Sequence, residues 1–410
     1  MEESSKVANF LSSQGIKPRD VIACMLPRTP ELVYIMVDVW KVGAVYQALF
    51  TAFGPKAIQY RIESSGAKML FTDSNNSSKL EDLTLQTKIC IVLDEDKDHI
   101  VPQYPIYKEE ISKMKGLFKP VERSGKDAFL MLSTSGTTGL PKAIEIPLIA
   151  LASFKVYMEF GIDLRKDDIF WNLADPGWAY GLYYSVVGPL LLGNSFILSE
   201  ATFNAEETFR IISETKVSNL AGSPTAFRLL MNAAKEKYVN YNDNKLRIIS
   251  SAGEALTKDV IRWYSNNMNV SVFDHYGQSE TGMLINNHHA LDHKKIDGSM
   301  GVEMPGYKMV ILDDNYKPVL SNVAGNLAVV IPRSPLFWFR GYLNAETDSL
   351  VAIYYLTGDS AEQDDDGVFT YIGRIDDVIT SLGYRIGPFD VESVILEHPS
   401  VSEVCGSWKV

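Results

Sequence analysis

Val217-Ser218-Asn219-Leu220-Ala221, Arg247-Ile248-Ile249-Ser250-Ser251 and Val270-Ser271-Val272-Phe273-Asp274 are short apolar runs set between helical patterns. Ala205–Lys216 places Phe209 and Ile212 on one side with polar residues between them, and Thr225–Ala234 and Thr257–Asn266 read as two further helices. Strand and helix in alternation predict a mostly parallel sheet covered by helices on both faces. The same alternation begins upstream at Asp20–Leu26, continues through Pro30–Val42 with proline at the helix start, and includes strands at Ala67–Asp73 and Lys88–Asp94. No internal repeat is visible.

After Gly298 the pattern changes to short β-like runs, Lys308–Leu312, Asn326–Ile331 and Gly367–Ile372, separated by turn signals. Asp364-Asp365-Asp366-Gly367 lacks the ligand spacing of a calcium loop and reads as a solvated hairpin turn. The expected fold is α/β: a large N-terminal domain of mixed and parallel sheets flanked by helices, a β-rich subdomain, and the start of a small α+β C-terminal domain. The boundaries are 1–375 for the large unit (1–297 α/β, 298–375 β-rich) and 376–410 for a hinge and incomplete small domain.

A chain of 410 residues needs more than one ordinary domain, and 46% hydrophobic with 22% charged residues excludes disorder and coiled coil for the whole chain. Lys and Arg number 39 against 51 Asp and Glu, a net charge of −12, so the chain is a poor general binder of nucleic acid or anionic membrane. Cys24, Cys90 and Cys405 form no CxxC pair, which argues against a zinc site or a disulfide framework. The apolar stretch Val186–Leu198 is broken by Gly188, Pro189, Gly193 and Asn194 and is too short to span a bilayer. The N-terminus has no secretory pattern, and a cytoplasmic location is the expectation.

The strand-like run Asp127–Leu132 feeds Ser133-Thr134-Ser135-Gly136-Thr137-Thr138-Gly139-Leu140-Pro141-Lys142. Glycines let backbone N–H groups converge on an anion, hydroxyls add donors and Lys142 adds charge, which suits a phosphate chain. No GK[ST] ends the loop, so it is not a Walker A element. From composition alone an exposed linker is an equal reading.

The loop resembles the signature loop of the adenylate-forming superfamily, and further motifs follow in that family's order. They are Gly253-Glu254-Ala255, Asp274-His275-Tyr276-Gly277-Gln278-Ser279-Glu280-Thr281-Gly282, Tyr355-Leu356-Thr357-Gly358-Asp359, Gly373-Arg374-Ile375-Asp376-Asp377 and Gly383-Tyr384-Arg385-Ile386. Trp171-Asn172-Leu173-Ala174-Asp175-Pro176-Gly177-Trp178 resembles the acetyl- and medium-chain acyl-CoA synthetase branch. The resemblance implies activation of a small-molecule carboxylic acid by ATP to an acyl-adenylate with release of pyrophosphate, then transfer to CoA, with Mg²⁺ as the ion.

It also implies site roles. Ser135, Gly136, Thr137, Thr138, Gly139 and Lys142 would cradle the phosphates; Gly253, Glu254, Ala255, Asp274 and Tyr276 would hold the adenine. Asp359 and Arg374 would hold the ribose, Ser279 would face the α-phosphate, and Glu280 would ligate Mg²⁺. Thr137, Thr138, Lys142, Glu280 and Arg385 would act in the chemical step, with Asp376 as hinge. The attacking carboxylate is already ionised, so the reaction needs cations and oriented donors rather than a general base. His275, His288, His289 and His293 suggest a metal at first sight; solvated loop histidines are the favoured reading.

Trp178, Ala179, Tyr180, Ala252 and Gly277 are the expected acyl pocket. No acidic residue follows Trp178 before Tyr184, which weakens an amino-acid substrate because its ammonium would be buried unpaired. Gly277 stands where acetate-specific relatives carry a bulky Trp, and Ala252 is small. Together they predict a deeper apolar slot for a medium-chain, branched or aromatic acid.

Two departures stand out. The loop continues with Ala143 and Ile146 where the family has Gly and His. Beyond Asp376 only residues 377–410 follow, short of the roughly hundred residues of a small domain, and nothing matches the family's late lysine. The expectation is a C-terminally truncated or split synthetase, with the missing segment as a separate chain in the split case. Loss of that lysine would slow adenylation by on the order of 10²–10³, and thioester formation by more, since the small domain completes the CoA site. The alternatives are a weakly active nucleotide-binding remnant, an adenylation domain loading a carrier protein, and an unrelated ADP-forming kinase or ligase.

Overall fold

Val21–Met25 lies between two parallel neighbours, Val45–Ala48 and Met69–Thr72. A computed structural model describes residues 2–92, 104–134, 141–235, 245–375, 379–381, 384–386 and 401. Lys88–Ile91 extends the first sheet on one side; Ala128–Thr134 and the antiparallel Lys142–Pro147 extend it on the other, giving six strands. Alternation along Val21–Met25 explains why the run is apolar throughout. Val21, Ala23 and Met25 face Ile58, Ile62 and Leu70, while Ile22 and Cys24 face Ile35, Val39 and Phe71.

The second sheet has seven strands. Phe196–Ile197, Phe170–Asn172, Asn219–Gly222, Ile248–Ala252 and Val272–Gln278 are parallel, and Gly282–Asn286 and Val302–Glu303 close it antiparallel. The helices Ala205–Thr215, Pro224–Lys235 and Lys258–Met268 bury Phe209, Ile212, Phe227, Leu230, Val260 and Tyr264 against one of its faces. Each large side chain buried there stabilises the fold by about 1.5–3 kcal/mol. Asn204 starts the first of these helices by accepting the Glu207 N–H at 3.0 Å.

The third sheet is antiparallel. It holds Met309–Leu312, Gly325–Val330, Leu350–Val351, Tyr354–Gln363 and Phe369–Arg374. Asp364 forms the last hairpin turn, its Oδ1 accepting from the N–H groups of Asp366 and Val368, with Gly367 at φ 83°. One continuous core runs from the first sheet through Phe154, Tyr157, Tyr183 and Tyr184 to Leu327, Val329 and Phe369 of the third.

The α/β alternation and the β-rich segment therefore match the sequence reading. Several strands were not among the expected elements, including Val45–Ala48, Phe170–Asn172 and Gly282–Asn286, as well as Lys142–Pro147 and Tyr354–Gln363. Lys142–Pro147 looked like the tail of a loop, and Tyr354–Gln363 carries Gly358 and Asp359, residues depleted in strands. Of the expected small C-terminal domain, only the backbone pair Ile379–Ser381 and Tyr384–Ile386 and the single residue Val401 fall within the described residues.

Candidate active site

A cleft of about 720 Å³ opens where the three sheets meet. Its lining includes Ser133, Thr134 and Lys142 from the first sheet, Gln278, Ser279 and Glu280 from the second, and Thr357, Gly358 and Arg374 from the third. Gly177, Trp178 and Ala179 form a further wall. These residues span Ser133 to Arg374 in the chain: Ser133, Thr134, Gln278 and Arg374 lie at strand ends, Ser279 and Glu280 in the turn after one, Lys142 at a strand start, and Thr357 and Gly358 within Tyr354–Gln363. Ser135, Gly136, Thr137, Thr138, Gly139 and Asp376 lie outside the described residues, as does the side chain of Arg385.

Strand alternation divides Val272–Gln278 into two faces. Tyr276 points to the third sheet, where its hydroxyl donates to Asp359 Oδ2 at 2.5 Å. Gln278 Nε2 donates to the same oxygen at 2.9 Å and to the Thr357 carbonyl at 2.8 Å, while its Oε1 accepts from the Tyr355 hydroxyl at 2.8 Å. Arg374 Nη1 donates to Asp359 Oδ1 at 3.1 Å. Burial pushes the Asp359 carboxyl above its ordinary range, opposed by these three partners.

Glu280 is 9% exposed, and its Oε1 accepts from the Tyr342 hydroxyl at 3.0 Å. Burial raises its carboxyl, and neither Arg nor Lys pairs with it among the described residues. Tyr342 also lies under Lys142, whose Nζ sits 4.9 Å from the ring centroid and donates to the Glu346 carbonyl at 3.4 Å. A single buried carboxylate beside an open cleft fits Mg²⁺, which takes one or two protein oxygens and completes its shell with phosphate and water. No cluster of three or more His, Cys, Asp or Glu suited to a metal occurs among the described residues.

Gly253 and Glu254 are exposed at the end of Ile248–Ala252 and, with Ala255, are not among the residues lining the cleft. Gly253 has φ +103°, and Glu254 accepts from the Thr225 hydroxyl at 2.7 Å. Asp274 is buried, one oxygen accepting the Leu256 N–H at 3.4 Å and the other without a partner, and burial raises its carboxyl well above its usual range.

Trp178 is 41% exposed and packs on Phe50 and Phe53, with ring centroids 5.5 and 5.6 Å away. Two glycines set this segment. A Cβ on Gly177 would lie 2.6 Å from Phe50 Cα, and one on Gly181 would lie 2.0 Å from the Asp175 carbonyl oxygen.

Two expectations need correction. Gly277 does not deepen an apolar slot: a Cβ there would meet the Gly282 carbonyl oxygen at 2.4 Å and Met283 Sδ at 2.8 Å. The antiparallel strand Gly282–Asn286 already fills that space, and the pairing bulges between Tyr276 and Gly277. Nor are the histidines all solvated loop residues, although His293 is half-exposed in a loop. His275 and His288 are 2% and 0% exposed, and His289 stacks on Phe273 at 4.4 Å. Burial pushes the His288 imidazole down to about 4 and the His289 imidazole down to about 3, with His275 also well below its usual value.

Gln278, Tyr342 and Tyr355 hold Asp359 and Glu280 in place, and none of the three was among the expected site residues. Gln278 lay inside a quoted motif; Tyr342 had no signal beyond its place in Gly341-Tyr342-Leu343.

A family model described as AMP-binding enzyme matches residues 1–343. The chain belongs to the AMP-binding enzyme family. This AMP-binding enzyme is 33% identical over 411 residues to the acetyl-coenzyme A synthetase of Bacillus subtilis, covering 98% of the chain and 71% of that relative. It is 31% identical to the mitochondrial acyl-coenzyme A synthetase ACSM5 of Homo sapiens, covering 98% and 70%. Among solved structures, the acyl-CoA synthetase of Brucella canis is 49% identical with a TM-score of 0.88, over 98% of this chain and 74% of that one. The anthranilate CoA ligase AuaEII, solved with anthranoyl-AMP, shares the fold at 21% identity and a TM-score of 0.90, over 98% and 77%. Acyl-CoA synthetases of the AMP-binding family use ATP, Mg²⁺ and CoA. No helix among the described residues is long and apolar enough to cross a membrane.

Proposed function

We propose that this protein is an AMP-forming acid–CoA ligase. One carboxylate oxygen of the acid attacks the α-phosphorus of ATP, the bond to the bridging oxygen breaks, and pyrophosphate leaves. The CoA thiol then attacks the acyl carbon, AMP departs, and the thiol proton passes to solvent. The observation that supports this most is the meeting of Lys142, Glu280 and Arg374, the last paired with Asp359, around one cleft whose other wall is Gly177–Ala179.

In this reading Asp359, steadied by Tyr276, Gln278 and Arg374, accepts the ribose hydroxyls, and the Tyr276 ring faces the adenine together with Asp274 and the turn Gly253–Ala255. Ser279 faces the α-phosphate, and Lys142 leaves the Tyr342 ring for the phosphates together with Ser135–Gly139. Glu280 holds Mg²⁺, which when bound neutralises charge on the phosphate oxygens. Arg385 adds a second cation from beyond the hinge at Asp376. Residues 1–375 form the ATP- and acid-binding unit, and the small domain begins at 376. Trp178, Ala179 and Tyr180 border the acid.

The test is product analysis with ATP, Mg²⁺, CoA and a panel of carboxylic acids. AMP and pyrophosphate in equal amounts, with the Glu280→Gln variant at least about 100-fold slower, support the reading. ADP as product, or ATP bound without pyrophosphate release from any acid, overturns it.

A further inference from the structure

The face of Val272–Gln278 opposite Tyr276 carries His275, and what it meets is polar. The Tyr157 hydroxyl lies 2.8 Å from His275 Nδ1, and the Tyr180 hydroxyl lies 3.0 Å from the Tyr157 hydroxyl. Tyr157 and His275 are 0% and 2% exposed, whereas Tyr180 is only half-buried. Tyr180 directly follows Trp178 and Ala179, which line the cleft. Tyr180 is not itself among the residues lining the cleft, but it is the least buried end of a hydrogen-bond chain that begins at a buried imidazole.

The valences along this chain leave one free. If His275 donates from Nδ1, Tyr157 donates onward and the Tyr180 proton is spare; if His275 accepts, the Tyr180 oxygen retains a lone pair. His275 Nε2 has no partner, so neither tautomer is excluded by it. The surrounding wall is short. Met283 and the Gly282 backbone fill the space beside Gly277, and the Tyr184 hydroxyl, accepting the Met283 N–H at 3.1 Å, holds that strand in place. The Tyr180 and Tyr184 rings stand 5.5 Å apart. An alkyl chain running past Ala179 would meet phenol rings and hydroxyls within a few carbons.

We propose, resting on the acid–CoA ligase reading above, that the acid is a short one bearing a hydroxyl or oxo group, and that the Tyr180 hydroxyl, anchored by Tyr157 and His275, recognises that group. A plain medium-chain alkyl acid is disfavoured, both because the slot is filled beside Gly277 and because its terminus would leave the Tyr180 hydroxyl unpaired.

The test separates binding from catalysis. Dissociation constants are measured by titration calorimetry for acyl sulfamoyl adenosines, unreactive mimics of the acyl-adenylate. The acyl groups are β-hydroxybutyryl, acetoacetyl, butyryl and octanoyl. The wild type is expected to bind at least one of the oxygenated pair about tenfold or more tightly than butyryl, with octanoyl weakest. In Tyr180→Phe that ratio falls to near one, and in Tyr157→Phe it falls part of the way; thermal melting of each variant reports its folding, and Tyr157→Phe carries the test if Tyr180→Phe does not fold. Tighter binding of butyryl or octanoyl than of both oxygenated acyl groups overturns this inference and leaves the ligase reading standing. So does a ratio that survives both substitutions. Failure of all four mimics to bind overturns the ligase reading and this inference with it.

Discussion

Gln278 makes three hydrogen bonds with two atoms, to Thr357, Asp359 and Tyr355. It thereby ties the second sheet to the third and fixes the oxygen of Asp359 that Tyr276 also uses. Gln278→Leu keeps much of the volume and removes every one of these bonds. It leaves the Tyr355 hydroxyl and part of a buried carboxylate unpaired, which costs about 1–3 kcal/mol. The expected outcome is a lower denaturation midpoint by chemical melting and a rise of roughly tenfold or more in the KM for ATP. A variant with wild-type KM would mean that Gln278 serves sheet packing alone. Glu280 behaves differently: its carboxyl is held by the hydroxyls of Tyr342 and Thr134 and forms no ion pair among the described residues, so its variants should change activity far more than stability.

At the scale of elements, Gly177–Leu182 shows what a sequence can and cannot say. Pro176-Gly177-Trp178 was legible as a motif, and the structure places Trp178 and Ala179 on the cleft. The need for glycine at 181 was not legible, because it arises from the Asp175 carbonyl folding back over the first turn of the next helix. Gly181→Ala would place Cβ 2.0 Å from that oxygen, and a shift of the Trp178 turn with a loss of about 3 kcal/mol or more in chemical denaturation is expected. An unchanged midpoint would show that the turn relaxes freely. The βα alternation was legible because both faces of each strand need apolar cover, as in Val21–Met25. The error at Gly277 came from treating an absent side chain as empty space, although the partner strand, far from evident in the motif itself, occupies it. The burial of His275 was illegible for a related reason: it lies within a strand and packs on Tyr157, 118 positions away. Asp38 is a further feature that only packing reveals. It is fully buried in Pro30–Lys41, accepts the Ala8 N–H at 2.8 Å and pairs with Lys41 at 3.2 Å, and burial still lifts its carboxyl to about 6. A folded value above the unfolded one means that the native state holds the proton more tightly. Its contribution to stability is complete below about pH 4 and is lost as pH rises through about 6. Asp38→Asn removes this titration, so the stability of the variant relative to wild type should increase between pH 4 and pH 7 in paired urea melts; a constant difference would refute the assignment.

At the scale of the whole molecule, the cleft is bounded by three sheets that share one continuous core, yet its polar wall is held across sheets by few direct bonds. Those to Asp359 and Thr357 join the second and third sheets, and the contact of Lys142 with Tyr342 reaches the first. A ligand that touches Glu280, Asp359 and Lys142 together would link all three sheets and be absent from the unfolded chain. Linkage then requires MgATP to stabilise the native state, by about 2.7 kcal/mol at a hundred times its dissociation constant. Part of that stabilisation should depend on the ion, because the buried Glu280 carboxylate has no described cation of its own and gains one only with Mg²⁺. The expected result is a rise in melting temperature with MgATP, a smaller rise with ATP and excess chelator, and equal rises for the two conditions in Glu280→Gln. Equal rises in the wild type would place the ion elsewhere, because a Glu280 that gains no partner on binding cannot couple the metal to the fold.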